Sequence, residues 1–365
     1  MNSQFVPAHV FPPGEFIRQE LEERGWSQAD LAAILGRPVQ VVNEIIAAKK
    51  AITPETATAL AAAFGTSPEL FLRLENAYRL ARTKTETGPV ARRANLYAKV
   101  PVRDLLKRGW IAASSDLDVL EQRVCGFLGI RTLDEEPALS FAARKGDSYG
   151  GVLPGQLAWF CRCRHLARRR KPRGPYREAL LRRAVPNLPK EFADETTLVR
   201  LPETLSRLGV VLVLLEHLPG TKIDGAAFWL EKHPVVALSV RFDRVDSFWF
   251  TLMHELAHVL LHGPSHSGID IDLVGPSSEE EKDKPASEQE ADEQACGWLV
   301  PPDELEPFIK ETRPYYSHHS IVAFAEGIGV NPGLVVGQLQ HRGEIPWGHS
   351  RKFLVKVRHF LPMES

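Results

Sequence analysis

His254-Glu255-Leu256-Ala257-His258 carries the densest chemistry in this chain of 365 residues. On a helix, positions i and i+4 lie one above the other, so both imidazoles can reach a single ion. Two neutral imidazole nitrogens suit Zn²⁺ at about 2.0–2.1 Å and leave room for a carboxylate and a water. Glu255 sits about 100° further round the helix, poorly aimed as a third ligand but well aimed to act on that water as general base. The flanks are apolar, with Phe248, Trp249, Phe250, Leu252, Val259, Leu260 and Leu261. Two histidines and a glutamate left unpartnered in such a helix would cost several kcal/mol, so a bound metal is expected rather than a chance match.

A site of this type needs a third protein ligand, and the segment from Ser287 to Leu299 offers Glu288, Glu290, Asp292 and Glu293. Read as a helix, its inward face is marked by Ala291, Ala295, Trp298 and Leu299 at spacings of three and four. Glu288 falls on that face and Glu290 lines up with Gln294 and Gly297, so Glu288 is the expected ligand and Glu290 the alternative. Asp292, one turn on, is the expected partner behind a ligand histidine. His262 is read as a helix C-cap in preference to an oxyanion donor. Tyr315, Tyr316, His318 and His319 are candidate transition-state donors that spacing cannot separate. The strand Val235–Val240 is read either as a sheet edge along which an extended peptide could lie or simply as a buried strand, and the two are compatible.

A second chemistry sits near the start. Gln28 to Leu35, a Gly36-Arg37-Pro38 turn and Val39 to Ala48 have the length and break of a helix-turn-helix. Such a motif places its second helix in the major groove, which offers Gln40 and Asn43 to base edges. Arg37, Lys49 and Lys50 are available for phosphates, and Gln28 opens the first helix of the pair. Glu44 makes this face only weakly basic. The most basic run is Arg162, Arg164, Arg168, Arg169, Arg170, Lys171, Arg173, Arg177, Arg182 and Arg183. A solvated helix face is the default reading of it, and a second phosphate-binding surface is the alternative. Cys161 and Cys163 with His165 lack a second ligand pair at zinc-finger spacing.

The elements that position these groups follow from punctuation and period. Pro13-Gly14, Ser27, Pro38, Thr53-Pro54 and Ser67-Pro68 open five short helices within 12–75. Thr, Gly, Pro and Arg between Tyr78 and Arg93 suggest a linker, set at 76–100, before a helical middle region at 101–200. After Leu201, apolar runs at Val210–Leu215, Ala226–Leu230 and Val235–Val240 read as strands. A long helix over about 247–262, the acidic loop 277–285, a helix over 287–299 and small helices near 303–310, 320–327 and 332–340 complete 201–350. The fold class is α+β and mostly helical: a five-helix N-terminal bundle, a helical middle and a C-terminal region with a small mixed sheet.

Composition bounds the rest. Apolar residues make up 44% and charged residues 25%, as in ordinary globular chains, and the net charge is −1. Any DNA binding therefore comes from a local face rather than a whole-chain field. Cys125, Cys161, Cys163 and Cys296 are too few and scattered for a disulfide scaffold, which points to a reducing compartment. No signal-peptide pattern or membrane-length apolar run is visible, so a cytoplasmic protein without a membrane partner is expected.

The stretches FWFTLMHELAHVLLH (248–262), EQEADEQACGWLVPP (288–302) and GVNPGLVVGQLQHRGEIP (329–346), with the bundle at 12–75, resemble the ImmA/IrrE family of metallo-endopeptidases in the architecture carrying an Xre-type, HigA-like helix-turn-helix. The resemblance covers both ends of the chain and implies a minimal zincin-like domain with two His and one Glu on the metal, the Glu falling on Glu288. Family members often carry Phe where Gln294 stands, a departure that leaves the ligands in place. The resemblance implies cleavage of one cognate repressor or antitoxin in a stress, toxin–antitoxin or mobile-element response, together with operator DNA and a possible homodimer. The competing expectation is a regulator or antitoxin of HigA/Xre type whose metal domain senses or dimerises and cleaves nothing.

Overall fold

The computed structural model describes residues 11–83, 87–137, 153–265, 270–271 and 285–364. Two compact units divide the chain at Val90/Ala91. Of the acidic loop 277–285, all but Pro285 lies outside the described residues.

Unit 1 is built from α1 (Pro13–Arg24), α2 (Gln28–Leu35), α3 (Val39–Ile46), α4 (Pro54–Phe64) and α5 (Pro68–Arg82). Its helices start where the sequence supplies caps. The Ser27 hydroxyl accepts from the Asp30 N–H at 3.2 Å, and the Asp30 carboxylate accepts from the Ser27 N–H at 2.8 Å, a reciprocal capping box. Gly25, Gly36 and Gly65 end three of the helices in the left-handed conformation. Ile17, Leu31, Ile45, Leu60, Phe64 and Phe71 form the core.

Unit 2 opens on α6 (Thr87–Lys99), followed by α7 (Val102–Lys107), α8 (Leu117–Leu128), α9 (Pro154–Arg168), α10 (Glu178–Ala184), α11 (Leu188–Glu191) and α12 (Leu201–Arg207). Strands β1 (Val211–Leu214), β2 (Ile223–Leu230) and β3 (His233–Leu238) precede α13 (Val245–Leu261). β4 (Asp270–Ile271), α14 (Ala286–Leu299), α15 (Pro302–Thr312), α16 (His318–Ile328) and α17 (Pro332–His341) complete it. The stretch expected as a 76–100 linker is therefore helical on both sides of residues 84–86. Pro89 does not prevent this, because it lies in the first turn of α6, where a missing N–H costs nothing.

The sheet has the order β1-β3-β2-β4, with β1 parallel to β3 and the other pairs antiparallel. β3 is bonded on both sides and is an inner strand, so of the two readings of Val235–Val240 the buried strand holds and the edge does not. Both faces of the sheet are covered, which is why its strands read as unbroken apolar runs. Leu212, Leu214, Val236 and Leu238 face a core shared with α13. Val211, Val213, Val235 and Ala237 face a second core with Val124 and Phe127 of α8 and Trp159 and Phe160 of α9. The middle region and the region after residue 201 thus share one sheet, where composition suggested two modules. Near its start β2 slips register, and Ile223 and Ala226, three residues apart, fall on the same side.

Candidate metal centre

The helix α13 is the innermost element of unit 2. Nothing in its sequence breaks a helix, and Leu252, Met253, Leu256 and Ala257 are completely buried between the sheet, α14 and α17. Its first turn is clamped where Arg244 Nε donates to Asp246 Oδ1 at 3.0 Å and Arg244 Nη2 reaches Gln340 Oε1 at 3.3 Å. Packing fixes the axial position of the histidines before any ion is considered.

His254, Glu255 and His258 are each 0% exposed. The Nε2 atoms of His254 and His258 stand 2.9 Å apart. Glu288 Oε2, from α14, lies 3.2 Å from the first and 3.3 Å from the second. Glu288 and not Glu290 is therefore the carboxylate brought to the imidazoles; Glu290 is exposed on the outer face of α14. Burial opposes ionisation of Glu288, but its contacts with the two histidines outweigh burial and hold the carboxyl far below its ordinary range. Behind the cluster, His254 Nδ1 lies 2.8 Å from Asp292 Oδ1. A carboxylate there favours a proton on Nδ1, which leaves Nε2 as the ring nitrogen that would face an ion.

The donor set fits a divalent ion. Three tetrahedral donors at about 2.0–2.1 Å from one zinc stand roughly 3.3 Å from one another, close to the three separations observed. Among the described residues, His254, His258 and Glu288 form the group of His, Cys, Asp or Glu atoms that converge within 4.8 Å.

Glu255 lies on the sheet side of α13. A Cβ built on Gly225 of β2 would stand 2.1 Å from Glu255 Oε1 and 2.9 Å from Cδ, so the carboxylate rests against bare backbone. Sequence reasoning missed Gly225. Its signal was a glycine isolated inside a strand pattern, which marks close approach of another group. Beside it, Asp224 is buried and accepts from Arg241 Nε at 2.9 Å, pinning the slipped start of β2.

The remaining candidates separate by position. His262 is the C-cap of α13, and its Nε2 lies 3.1 Å from the Ser287 carbonyl oxygen at the start of α14, as the cap reading expects. Tyr316 donates to Glu344 Oε2 at 2.7 Å, and burial followed by that bond pushes its phenol up to about 12. Tyr315 is exposed and His318 packs on Phe353. Neither His318 nor His319 belongs to the converging His, Cys, Asp and Glu group. In unit 1, Gln40, Asn43, Lys49 and Lys50 are exposed and Gln28 is half-buried. Arg37 is half-buried and donates to Thr56 Oγ1 at 2.8 Å, which spends part of the guanidinium on the bundle itself.

Two family models match: a helix-turn-helix over residues 17–71 and an IrrE N-terminal-like domain, from a peptidase family, over residues 206–336. The HTH-type transcriptional regulator YddM of Escherichia coli (strain K12) is 32% identical over 72 residues, covering 20% of this chain and 77% of the relative. The chain belongs to the helix-turn-helix family and carries an IrrE N-terminal-like domain. Among solved structures, an addiction module antidote protein of a HigA family from Coxiella burnetii is 34% identical, covering 22% of this chain and 88% of its own, with a TM-score of 0.21. The antitoxin GraA is 31% identical over 23% of this chain and 90% of its own, with a TM-score of 0.21. The second family model spans all four strands, α13 and α14, and so encloses the histidine–carboxylate cluster. No single helix among the described residues is long and apolar enough to cross a membrane.

Proposed function

We propose that this helix-turn-helix, IrrE-like protein is a cytoplasmic, operator-binding regulator that is also a zinc-dependent endopeptidase. Its substrate on this reading is one cognate repressor or antitoxin. The observation that carries the enzymatic half is the convergence of His254, His258 and Glu288 beside a buried Glu255. Zinc bound there would polarise the scissile carbonyl and make a water acidic enough to lose its proton near pH 7.

The protein's own part is positional and acid–base. Asp292 holds the His254 ring with Nε2 turned toward the ion. Glu255, backed by Gly225, takes the proton of the attacking water and passes it to the leaving amine. A dry, wholly buried carboxylate is suited to this exchange, because fixed neighbours replace bulk water around it. In unit 1, Gln40 and Asn43 on α3 read base edges while Lys49 and Lys50 meet phosphates. The helix-turn-helix domain occupies 12–75, and a homodimer would let it read two half-sites.

Replacement of Glu255 by Gln tests the proposal. Elemental analysis should find zinc retained, while release of a discrete fragment from the co-purified partner falls about 10²–10⁴-fold. Equal cleavage by Glu255→Gln removes the mechanism, and a metal-free purified protein removes the site. A parent protein that holds zinc and binds its operator but leaves every partner intact would instead be a regulator whose metal domain senses or dimerises.

A further inference from the structure

Several arginines of unit 2 are ion-paired. Arg92 meets Asp118 and Glu121, Arg182 meets Glu178, Arg313 meets Glu344 and Arg342 meets Glu306. At the end of α9 the local carboxylates are missing from the sequence itself. No Asp or Glu occurs between Asp147 and Glu178, a stretch that holds eight lysines and arginines. Two of these are spent locally: Arg170 bonds to the Leu212 carbonyl and Glu364, and Arg173 to Glu203. Arg164, Arg168, Arg169 and Lys171 have no carboxylate within ion-pair distance among the described residues.

The helix that carries Arg164 and Arg168 is packed into the core, and Arg169 and Lys171 follow directly on its C-terminus. Trp159, Phe160, Cys163 and Ala167 bury the opposite face of α9, and Trp159 Nε1 donates to the Leu215 carbonyl at 2.9 Å. The charges are therefore held close together. Arg164 and Arg168 are one helical turn apart, and Arg162, seven residues before Arg169, lies over the Trp110 ring at 5.7 Å. Arg164 is half-buried, a position in which an uncompensated charge is costly. Burial first, and then Arg168, lowers its proton affinity; His165 is lowered by burial and then by four arginines around it. A face designed only for solubility would interleave the opposite sign. This face concentrates guanidinium groups, whose planar donors match phosphate.

We propose that Arg164, Arg168, Arg169 and Lys171 form a surface that binds the phosphate backbone of duplex DNA, distinct from the base-reading face of α3. The reading of unit 1 as a DNA-binding bundle is used only to choose duplex DNA among polyanions. Backbone binding requires no sequence and is measured by its salt dependence, about −0.9 in log K against log salt for each phosphate neutralised.

Fluorescence anisotropy of the full chain on a labelled 30-base-pair duplex of arbitrary sequence, between 50 and 200 mM KCl, tests this. The triple variant Arg164→Gln/Arg168→Gln/Arg169→Gln should flatten the slope by about 2 to 3. The matching triple Lys variant should keep it, which separates lost charge from lost packing. An unchanged slope in the Gln variant overturns the proposal, and so does a loss shared equally by the Lys variant. Loss of poly-glutamate binding with an unchanged DNA slope overturns it in favour of an acidic protein partner. A parent that binds no duplex at any salt overturns this proposal too, whereas failure of the α3 reading alone shows as duplex binding with no sequence preference that still depends on these arginines.

Discussion

The helices α13 and α3 both present polar side chains for chemistry, under opposite conditions. On α13, two imidazoles and a carboxylate are wholly buried in an apolar core and held by neighbours on α14 and β2. On α3, Gln40 and Asn43 stand in solvent, and Gln40 donates a 3.3 Å hydrogen bond to Glu44 one turn on. A buried site works through a few atoms at fixed separations, so one misplaced group disables it. An exposed site works through summed contacts, so each residue is worth a modest, nearly independent share.

Four substitutions break or sharpen that contrast. Gly225→Ala should have the largest effect, since the new methyl would overlap the Glu255 carboxylate and the sheet cannot retreat between two packed layers. Cleavage should drop at least 10²-fold, with about 1–3 kcal/mol lost from stability, read from fragment release and urea unfolding; a fully active, stable variant would show that Glu255 is not confined. Asp292→Asn ranks second. It keeps the shape but weakens the hold on His254, so zinc affinity should fall about 10–100-fold in competition with a chelator, and unaltered affinity would remove Asp292 from the site. Gln40→Ala and Asn43→Ala come last. Each should cost about 1–3 kcal/mol of discrimination between preferred and random duplexes, leaving zinc content untouched. Equal losses on both duplexes would mean these side chains do not read bases.

What the sequence reveals divides along a similar line. Ser27, Thr53 and Pro54 mark helix starts because capping is settled within a few residues. The HELAH pattern and the choice of Glu288 over Glu290 follow from one helical period. Strand order is different: Val235 to Leu238 is apolar throughout whether the strand lies inside or at the edge of a sheet covered on both faces, so the pattern does not choose between the two. The stretch read as a linker holds the division at Val90/Ala91 yet is helical on both sides of residues 84–86, because Gly88 and Pro89 weaken a helix interior but are tolerated in a first turn. Gly225 could not be paired with Glu255 from sequence, as thirty residues separate them and only the packing of β2 under α13 brings them together.

The sheet with two covered faces bears on how the molecule can be divided. A fragment beginning at Leu201 would retain every residue of the histidine–carboxylate cluster and would look like a self-sufficient hydrolase. It would also strip α8 and α9 from the strands and bare Val211, Val213, Phe228 and Val235 to water. Such a piece would be sticky and poorly soluble, and its inactivity would say nothing about the chemistry. The smallest workable piece for dissecting the metal centre therefore begins no later than α6, with the helices that form the other wall of the sheet.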